Sequence, residues 1–228
     1  MAGRTIAVLG MHRSGTSCLV GLLEQAGLYL GDVSRKNPSN AKGNRENSRI
    51  MDLHEDLLKV NDGTWDAPPD AVTWPRDLKA RRDEIIASYH DSTLWGFKDP
   101  RTLLTLEGWL EALPGLELVG IFRHPIAVAE SLRRRNGFSI EKGLELWSAY
   151  NDRLLRYRER YGFPVLCFDA DGLTELIGRL AGSLGLPSAT GPLDFFEAEL
   201  RHAAPDDPTL VPDRVRRLHQ ELLRAAFN

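Results

Sequence analysis

Arg4-Thr-Ile-Ala-Val-Leu-Gly-Met-His-Arg-Ser-Gly-Thr-Ser17 is the stretch from which the fold follows. Arg4–Leu9 is a short, β-rich apolar run that reads as a buried strand ending at Gly10. From Thr16 to Ala26 the residues Leu19, Leu22, Leu23 and Ala26 recur at spacings of three and four, which is helical period, and Gly27 supplies the stop. Strand, glycine-bounded turn and helix follow one another with no spare residues. Such a turn points consecutive backbone N–H groups at an anion, helped by the helix dipole. The spacing Gly10…Gly15 followed by Thr16-Ser17 copies GxxxxGK[ST] with one change. Thr16 stands where the Lys is expected, and a cation, Arg13, comes three residues earlier. A Walker-type nucleotidase sets that Lys on the β- and γ-phosphates, so its loss weighs against ATPase or kinase chemistry.

Outward from this unit the alternation continues. Thr93–Phe97, Leu116–Phe122 and Val165–Phe168 read as further buried strands. Helical patterns cover Ser48–Val60, Leu78–Tyr89, Thr102–Leu113, Ile126–Arg135, Glu141–Tyr161, Leu173–Leu184 and Asp213–Ala226, with Leu78–Tyr89 charged and expected to be exposed. Residues 31–47 form a polar loop without periodicity, Asp62–Pro75 a breaker-rich loop with two Trp, and Pro205–Pro212 another loop. Strands alternating with helices predict an α/β fold in three layers, a central parallel sheet covered by helices on both faces. In such sheets ligands bind beyond the carboxyl ends of the strands, so the informative residues are those that follow strands.

Composition is consistent with this. The chain has 228 residues, 42% apolar and 27% charged, enough to bury a core without disulfide or metal. We read it as one domain, 1–228, with flaps at about 31–47 and 61–76. The net charge of −3, from 29 basic and 32 acidic residues, argues against general nucleic-acid binding. No apolar run reaches the ~20 residues needed to span a bilayer, and the N-terminal run reads as a strand rather than a secretion signal. Cys18 and Cys167 sit in apolar stretches, as buried thiols of a reducing compartment do, which points to the cytoplasm. The six His form no ligand-spaced pair, so no metal site is expected.

Two more strand ends carry chemistry. Trp95-Gly-Phe-Lys-Asp-Pro-Arg-Thr102 delivers Lys98 and Arg101 beside a chain-turning Asp99-Pro100; the alternative is an Asp-capped helix with exposed cations. Phe122-Arg-His-Pro-Ile-Ala-Val-Ala-Glu-Ser131 sets Arg123 at the end of the most apolar strand, with Ser131 two helical turns later. Both can reach one phosphate, the Arg as a bidentate fork and the Ser as a hydroxyl donor; the alternative is an Arg123 paired with a carboxylate and a Ser131 on the helix surface.

Together the three motifs resemble the sulfotransferases that use 3′-phosphoadenosine 5′-phosphosulfate, PAPS, and most closely their bacterial members. The 5′-phosphosulfate loop of that family looks like Gly10–Ser17, and its 3′-phosphate motif, an Arg and a Ser eight apart, looks like Arg123 and Ser131. LWGFKDPRT is similar to the KDP element of tyrosylprotein sulfotransferases, whose Lys sits at the transferred group. The resemblance includes NPSNAKGNREN, GFSIEKGLELWSAYN and VLCFDADGL; many relatives have a Tyr-Glu-Asp-Leu box where this chain has Phe168-Asp169-Ala170-Asp171. It implies that Arg13, Ser14, Gly15, Thr16 and Ser17 hold the 5′ end of the donor and Arg123 with Ser131 the 3′-phosphate. Arg13 and Lys98 would meet the charge of the transition state, with no metal required and PAP as product. The acceptor would be a carbohydrate or small-molecule hydroxyl, and its base a His or Glu. Glu46 is read either as that base or as an acidic residue in a first helical turn, with His12 and His54 as further candidates. Trp65 and Trp74 are read as acceptor-stacking or as packing, and Trp147 as core. An ATP-dependent kinase with a degenerate P-loop and a non-catalytic nucleotide-binding module are the other readings.

Overall fold

The structure, a computed structural model, describes residues 3–34, 43–187 and 211–227. Four strands, β1 (Arg4–Leu9), β2 (Leu94–Lys98), β3 (Glu117–Phe122) and β4 (Val165–Cys167), form one sheet in the order β2-β1-β3-β4. Every pairing is parallel. Eight helices complete the described residues: α1 (Thr16–Gln25), α2 (Ser48–Val60), α3 (Arg76–Ala87), α4 (Thr102–Ala112), α5 (Pro125–Asn136), α6 (Ile140–Tyr161), α7 (Leu173–Ser183) and α8 (Asp213–Ala225). Parallel strands need crossovers, and the helices supply them.

The three layers follow from the two-residue period of the strands. Ile6 and Val8 of β1, with Val119 and Ile121 of β3, face one way and pack against α1 and α7. Ala7 and Leu9, with Leu118 and Phe122, face the other way, into a larger core under α2 to α6 and α8. Buried on both sides, β1 and β3 carry the near-continuous apolar runs expected of central parallel strands.

The strand order places a switch point between β1 and β3. The chain leaves β1 toward β2 on one side, then crosses back through α4 to β3 and on to β4. The crevice beyond the carboxyl ends of β1 and β3 is where such a sheet binds ligands.

Element ends differ from the sequence pattern by up to two residues. Helix α3 begins at Arg76, directly behind Pro75 as its N-cap, and Tyr89 lies past its end, where its hydroxyl donates to the Leu30 carbonyl. Nor is α3 wholly exposed: Leu78, Arg82 and Ile85 are buried. Strand β4 stops at Cys167 because Phe168 turns across the phosphate loop, its N–H donating to the Phe122 carbonyl. Of the polar loop 31–47, residues 35–42 lie outside the described residues, as do 205–210 of the tail loop. No described helix is long and apolar enough to cross a membrane.

Candidate active site

The turn between β1 and α1 is built around two glycines. A Cβ on Gly10 would meet the Ile121 carbonyl oxygen at 2.5 Å. Gly15 has φ +88°, and a Cβ there would lie 2.1 Å from the Phe168 ring. Arg13 also takes a positive φ, 67°, unusual for a branched-off long side chain and expected where a turn aims a residue. The first N–H groups of a helix have no intrahelical acceptor, and the N-terminus of α1 begins at this turn. Among the described residues the buried Ser14 hydroxyl has no hydrogen-bond partner, which leaves it a donor for an incoming acceptor.

Arg13 and Ser131 come together: Arg13 Nε donates to Ser131 Oγ at 2.8 Å. Ser131 is buried on α5. Arg123, at the end of β3, is held from the other side: its Nε donates to Asp169 Oδ1 at 3.2 Å. Its guanidinium lies over the Phe168 ring, 4.9 Å from the centroid. The backbone of Arg123 is held too, because Trp147 Nε1 donates to its carbonyl at 2.9 Å, which makes Trp147 a fully buried core residue with a site-facing hydrogen bond. Burial lowers the pKa of Arg13, and Arg135, Arg123 and Arg134 lower it further. Like charges gathered this way favour an anion at the turn.

Lys98, the last residue of β2, is 2% exposed and Glu46 7%, so their contact is a buried ion pair. Lys98 Nζ donates to Glu46 Oε1 at 2.6 Å and to Ser17 Oγ at 3.2 Å. Ser17 Oγ in turn donates to the Asn44 carbonyl. The ion pair therefore lies against the phosphate loop. Burial pulls the Lys98 pKa down, and Glu46 works against that shift. Glu46 does not sit in the first turn of α2: that helix starts at Ser48, and its cap is Asn47, whose side chain accepts from the Arg49 N–H at 2.9 Å. The helix-dipole reading of Glu46 is corrected by its partnership with Lys98.

Lys98 and Arg101 are not exposed cations. Arg101 is buried and bound to both oxygens of Asp99, at 3.0 and 3.2 Å, and to Glu55 Oε1 at 2.6 Å. His54 is fully buried, accepts from Trp109 Nε1 and has its other nitrogen toward Asp99. That burial removes it as a base for an incoming hydroxyl.

His12 packs its ring 4.6 Å from that of Trp65 and 6.1 Å from that of Tyr150. Burial, with Arg101, Lys98 and Arg135 nearby, lowers its pKa to about 3. Trp65 belongs to the 61–75 loop, which closes on itself through Asn61 and Thr73, at 2.8 and 3.0 Å. That loop is tied to α6 by Tyr150 Oη donating to the Trp65 carbonyl and Arg153 Nη2 to the Pro69 carbonyl. Trp65, half-buried, also lies 5.9 Å from Phe138. Trp74 is different: it is buried against Trp109 and Gly108, and so is packing.

Sequence reading missed Asp169. Its two oxygens accept from Arg123 Nε and from the His124 N–H, at 3.2 and 2.7 Å, joining the end of β4 to the end of β3. The available signal was its place just past a strand, in the segment Phe168–Asp171.

No family model matches the chain, and no curated protein matches it. Among solved structures the chain is similar to the sulfotransferase domain of the olefin synthase from Synechococcus PCC 7002, with 19% identity and TM-score 0.53 over 98% of this chain and 93% of that one. It is similar also to a sulfotransferase from Alicyclobacillus acidocaldarius, with 17% identity and TM-score 0.54 over 99% of this chain and 95% of that one. At these identities the likeness shows the fold: the chain has a sulfotransferase-like α/β architecture, a parallel sheet flanked by helices.

Proposed function

We propose that the chain is a cytoplasmic, PAPS-dependent sulfotransferase, one domain acting on a hydroxyl of a carbohydrate or small molecule. The observation that carries this reading is the buried Lys98–Glu46 pair lying against a phosphate loop that has Thr16 in place of the Walker Lys. A cation and a carboxylate side by side at the mouth of an anion site suit a reaction that needs charge stabilisation and proton removal together. The fold likeness supports the same reading.

The residues fit the donor. The turn leaves no room for a Cβ at Gly10 or Gly15, and the buried Ser14 hydroxyl has no hydrogen-bond partner among the described residues. Arg13, Ser14, Gly15, Thr16 and Ser17 would hold its 5′ end, and Arg123, oriented by Asp169, would hold its 3′-phosphate with Ser131. When bound, the donor supplies an activated sulfuryl group whose transfer leaves charge on a phosphate oxygen.

Arg13 and Lys98 face that charge with fixed cations. Among the described residues the Lys98 ammonium donates to Glu46 and to Ser17, two of its three N–H bonds. Glu46 takes the proton of the acceptor hydroxyl. We assign the base to Glu46 rather than His12 because a histidine whose pKa is about 3 is a weak proton acceptor at neutral pH. Trp65, on the 61–75 loop, lies beside the loop that carries His12 and forms one wall of the acceptor side.

Thermal unfolding with nucleotides tests the reading. Adenosine 3′,5′-bisphosphate without added Mg²⁺ is expected to raise the melting temperature well above the effect of ATP with Mg²⁺. Greater stabilisation by ATP would give the site to a kinase. Transfer of label from PAPS to an acceptor then separates an enzyme from a binding module.

A further inference from the structure

Three ionisable side chains and an indole are buried behind Lys98 and Glu46, and the chemistry above uses none of them. His54, Asp99 and Trp109 are fully buried, and Arg101 nearly so. Trp109 Nε1 donates to His54 Nε2 at 2.8 Å. An indole N–H only donates, so Nε2 is the acceptor and the ring hydrogen is on Nδ1. That Nδ1 faces Asp99 Oδ2 at 3.6 Å, an electrostatic approach longer than a hydrogen bond. Asp99 also accepts from the backbone N–H of Arg101 at 2.8 Å and from its Nη1. Although burial works to raise it, His54 and Arg101 hold the Asp99 carboxyl well below the usual carboxylate range.

The network joins two pieces of chain that meet nowhere in sequence. Asp99 and Arg101 follow Lys98 directly. His54 and Glu55 lie on α2, which starts two residues after Glu46. From Ser48 to His54 the helix is a rigid lever about 9 Å long. Buried ionic groups stabilise less than apolar residues of the same volume, so stability alone does not explain them. Their geometry does one thing that aliphatic packing would not: it fixes the turn after β2 against α2, through the directional bond of Arg101 Nη2 to Glu55 Oε1 at 2.6 Å and the approach of His54 to Asp99.

We infer that His54 is a positioning residue: held by Trp109 Nε1 and set against the Asp99 carboxylate beside the Arg101–Glu55 hydrogen bond, it keeps the 98–101 turn against α2 and thereby sets the 2.6 Å contact of Lys98 Nζ with Glu46 Oε1. Its kinetic consequence rests on the sulfuryl-transfer reading; its geometric consequence does not.

The test is a double-mutant cycle read on the Lys98 ammonium by NMR titration, feasible with only six lysines in the chain. The charged groups that bear on Lys98 are Glu46, Asp99 and Arg101, with neutral His12 beside them. In the wild-type background Glu46→Gln is expected to lower the Lys98 pKa by about one pH unit or more. In a His54→Phe background, where the pair is no longer held, the same change is expected to move it by less than about a third of that. His54→Gln, which can accept from Trp109 and donate toward Asp99, restores the wild-type response. Equal responses in all three backgrounds overturn the inference. If His54→Phe does not fold, Trp109→Phe, which removes the donor that fixes the imidazole along with part of the buried ring, replaces it with the same expected outcome. At saturating donor, His54→Phe should also slow single-turnover transfer by about thirtyfold or more at unchanged affinity for adenosine 3′,5′-bisphosphate, and His54→Gln should recover most of the rate. A slowed His54→Gln equal to His54→Phe counts against positioning. A wild-type protein with the lysine coupling but no sulfuryl transfer leaves the positioning role standing and overturns the functional reading.

Discussion

The ring of Phe168 lies over the backbone of Gly15, so close that a Cβ on the glycine would come within 2.1 Å of it. The same ring carries the guanidinium of Arg123 on its face. One aromatic residue past β4 thus shapes the phosphate turn after β1 and supports the arginine after β3.

Gly15→Ala is therefore expected to be costly. A left-handed φ costs an L-residue about 1–2 kcal/mol, and the steric overlap with Phe168 adds roughly 1–3 kcal/mol. Urea unfolding should show a loss on the order of 2–5 kcal/mol. Gly15→Ala with Phe168→Leu should recover only the steric share. Full recovery would mean that φ at Gly15 contributes nothing.

Arg123 and Lys98 are expected to fail in different ways. Arg123→Ala should weaken adenosine 3′,5′-bisphosphate binding by about 2–3 kcal/mol, the loss of a charge-assisted contact. Asp169→Ala should weaken it less, through a misoriented Arg123. Lys98→Ala should leave the Kd within about threefold but lower kcat strongly, because its charge matters most as the transition state forms. Calorimetry beside single-turnover rates checks the division; a rate-competent Lys98→Ala sinks it.

Glu46→Gln should reduce single-turnover transfer by at least about a hundredfold, the usual worth of a positioned base, with donor affinity almost unchanged. Because its partner is buried, the same change should also destabilise the protein by roughly 3 kcal/mol. Adding Lys98→Met should return part of that stability without any activity. Rates are best compared far below the lowest melting temperature in the set. Near-normal turnover in Glu46→Gln would mean the proton leaves by another route.

Acid should unfold the protein in a way His12 helps to set. Its folded pKa of about 3 lies below the unfolded value, so between those limits the unfolded state binds the extra proton. Stability then rises with pH across this window and is lost as pH falls below about 6.5, at up to ~1.4 kcal/mol per pH unit for the one group. His219, lowered to about 4 by burial and by His124, adds in the same direction. Denaturation between pH 4.5 and 6.5 should show a shallower slope in His12→Gln, with kcat at pH 7.5 within about threefold of wild type. An unchanged slope would place the His12 ring in contact with water.

The fold was legible because its signals are local. Apolar runs of strand length, three-and-four spacings of helix length and glycines between them all lie within a dozen residues of one another, as in Arg4–Ala26. The departures were equally local in cause: Phe168 left β4 to cover Gly15, and α3 started at the proline that capped it. Lys98, Arg13, Arg123 and Ser131 were visible as residues that follow or lie just beyond strand ends.

By itself the sequence determined the alternation of strand and helix, the glycine-bounded phosphate turn and the set of cations at the strand ends. Partnerships were decided only by the tertiary structure. Lys98 meets Glu46 across 52 positions, Arg13 meets Ser131 across 118, and Arg123 meets Asp169 across 46. Each depends on the strand order β2-β1-β3-β4, which brings the ends of β1 and β3 side by side and sets β2 and β4 beyond them. Periodicity says which face of an element is buried, but it does not carry strand order. A charge in a crevice takes whichever opposite charge the sheet order delivers within hydrogen-bond reach, and burial makes that pairing binding.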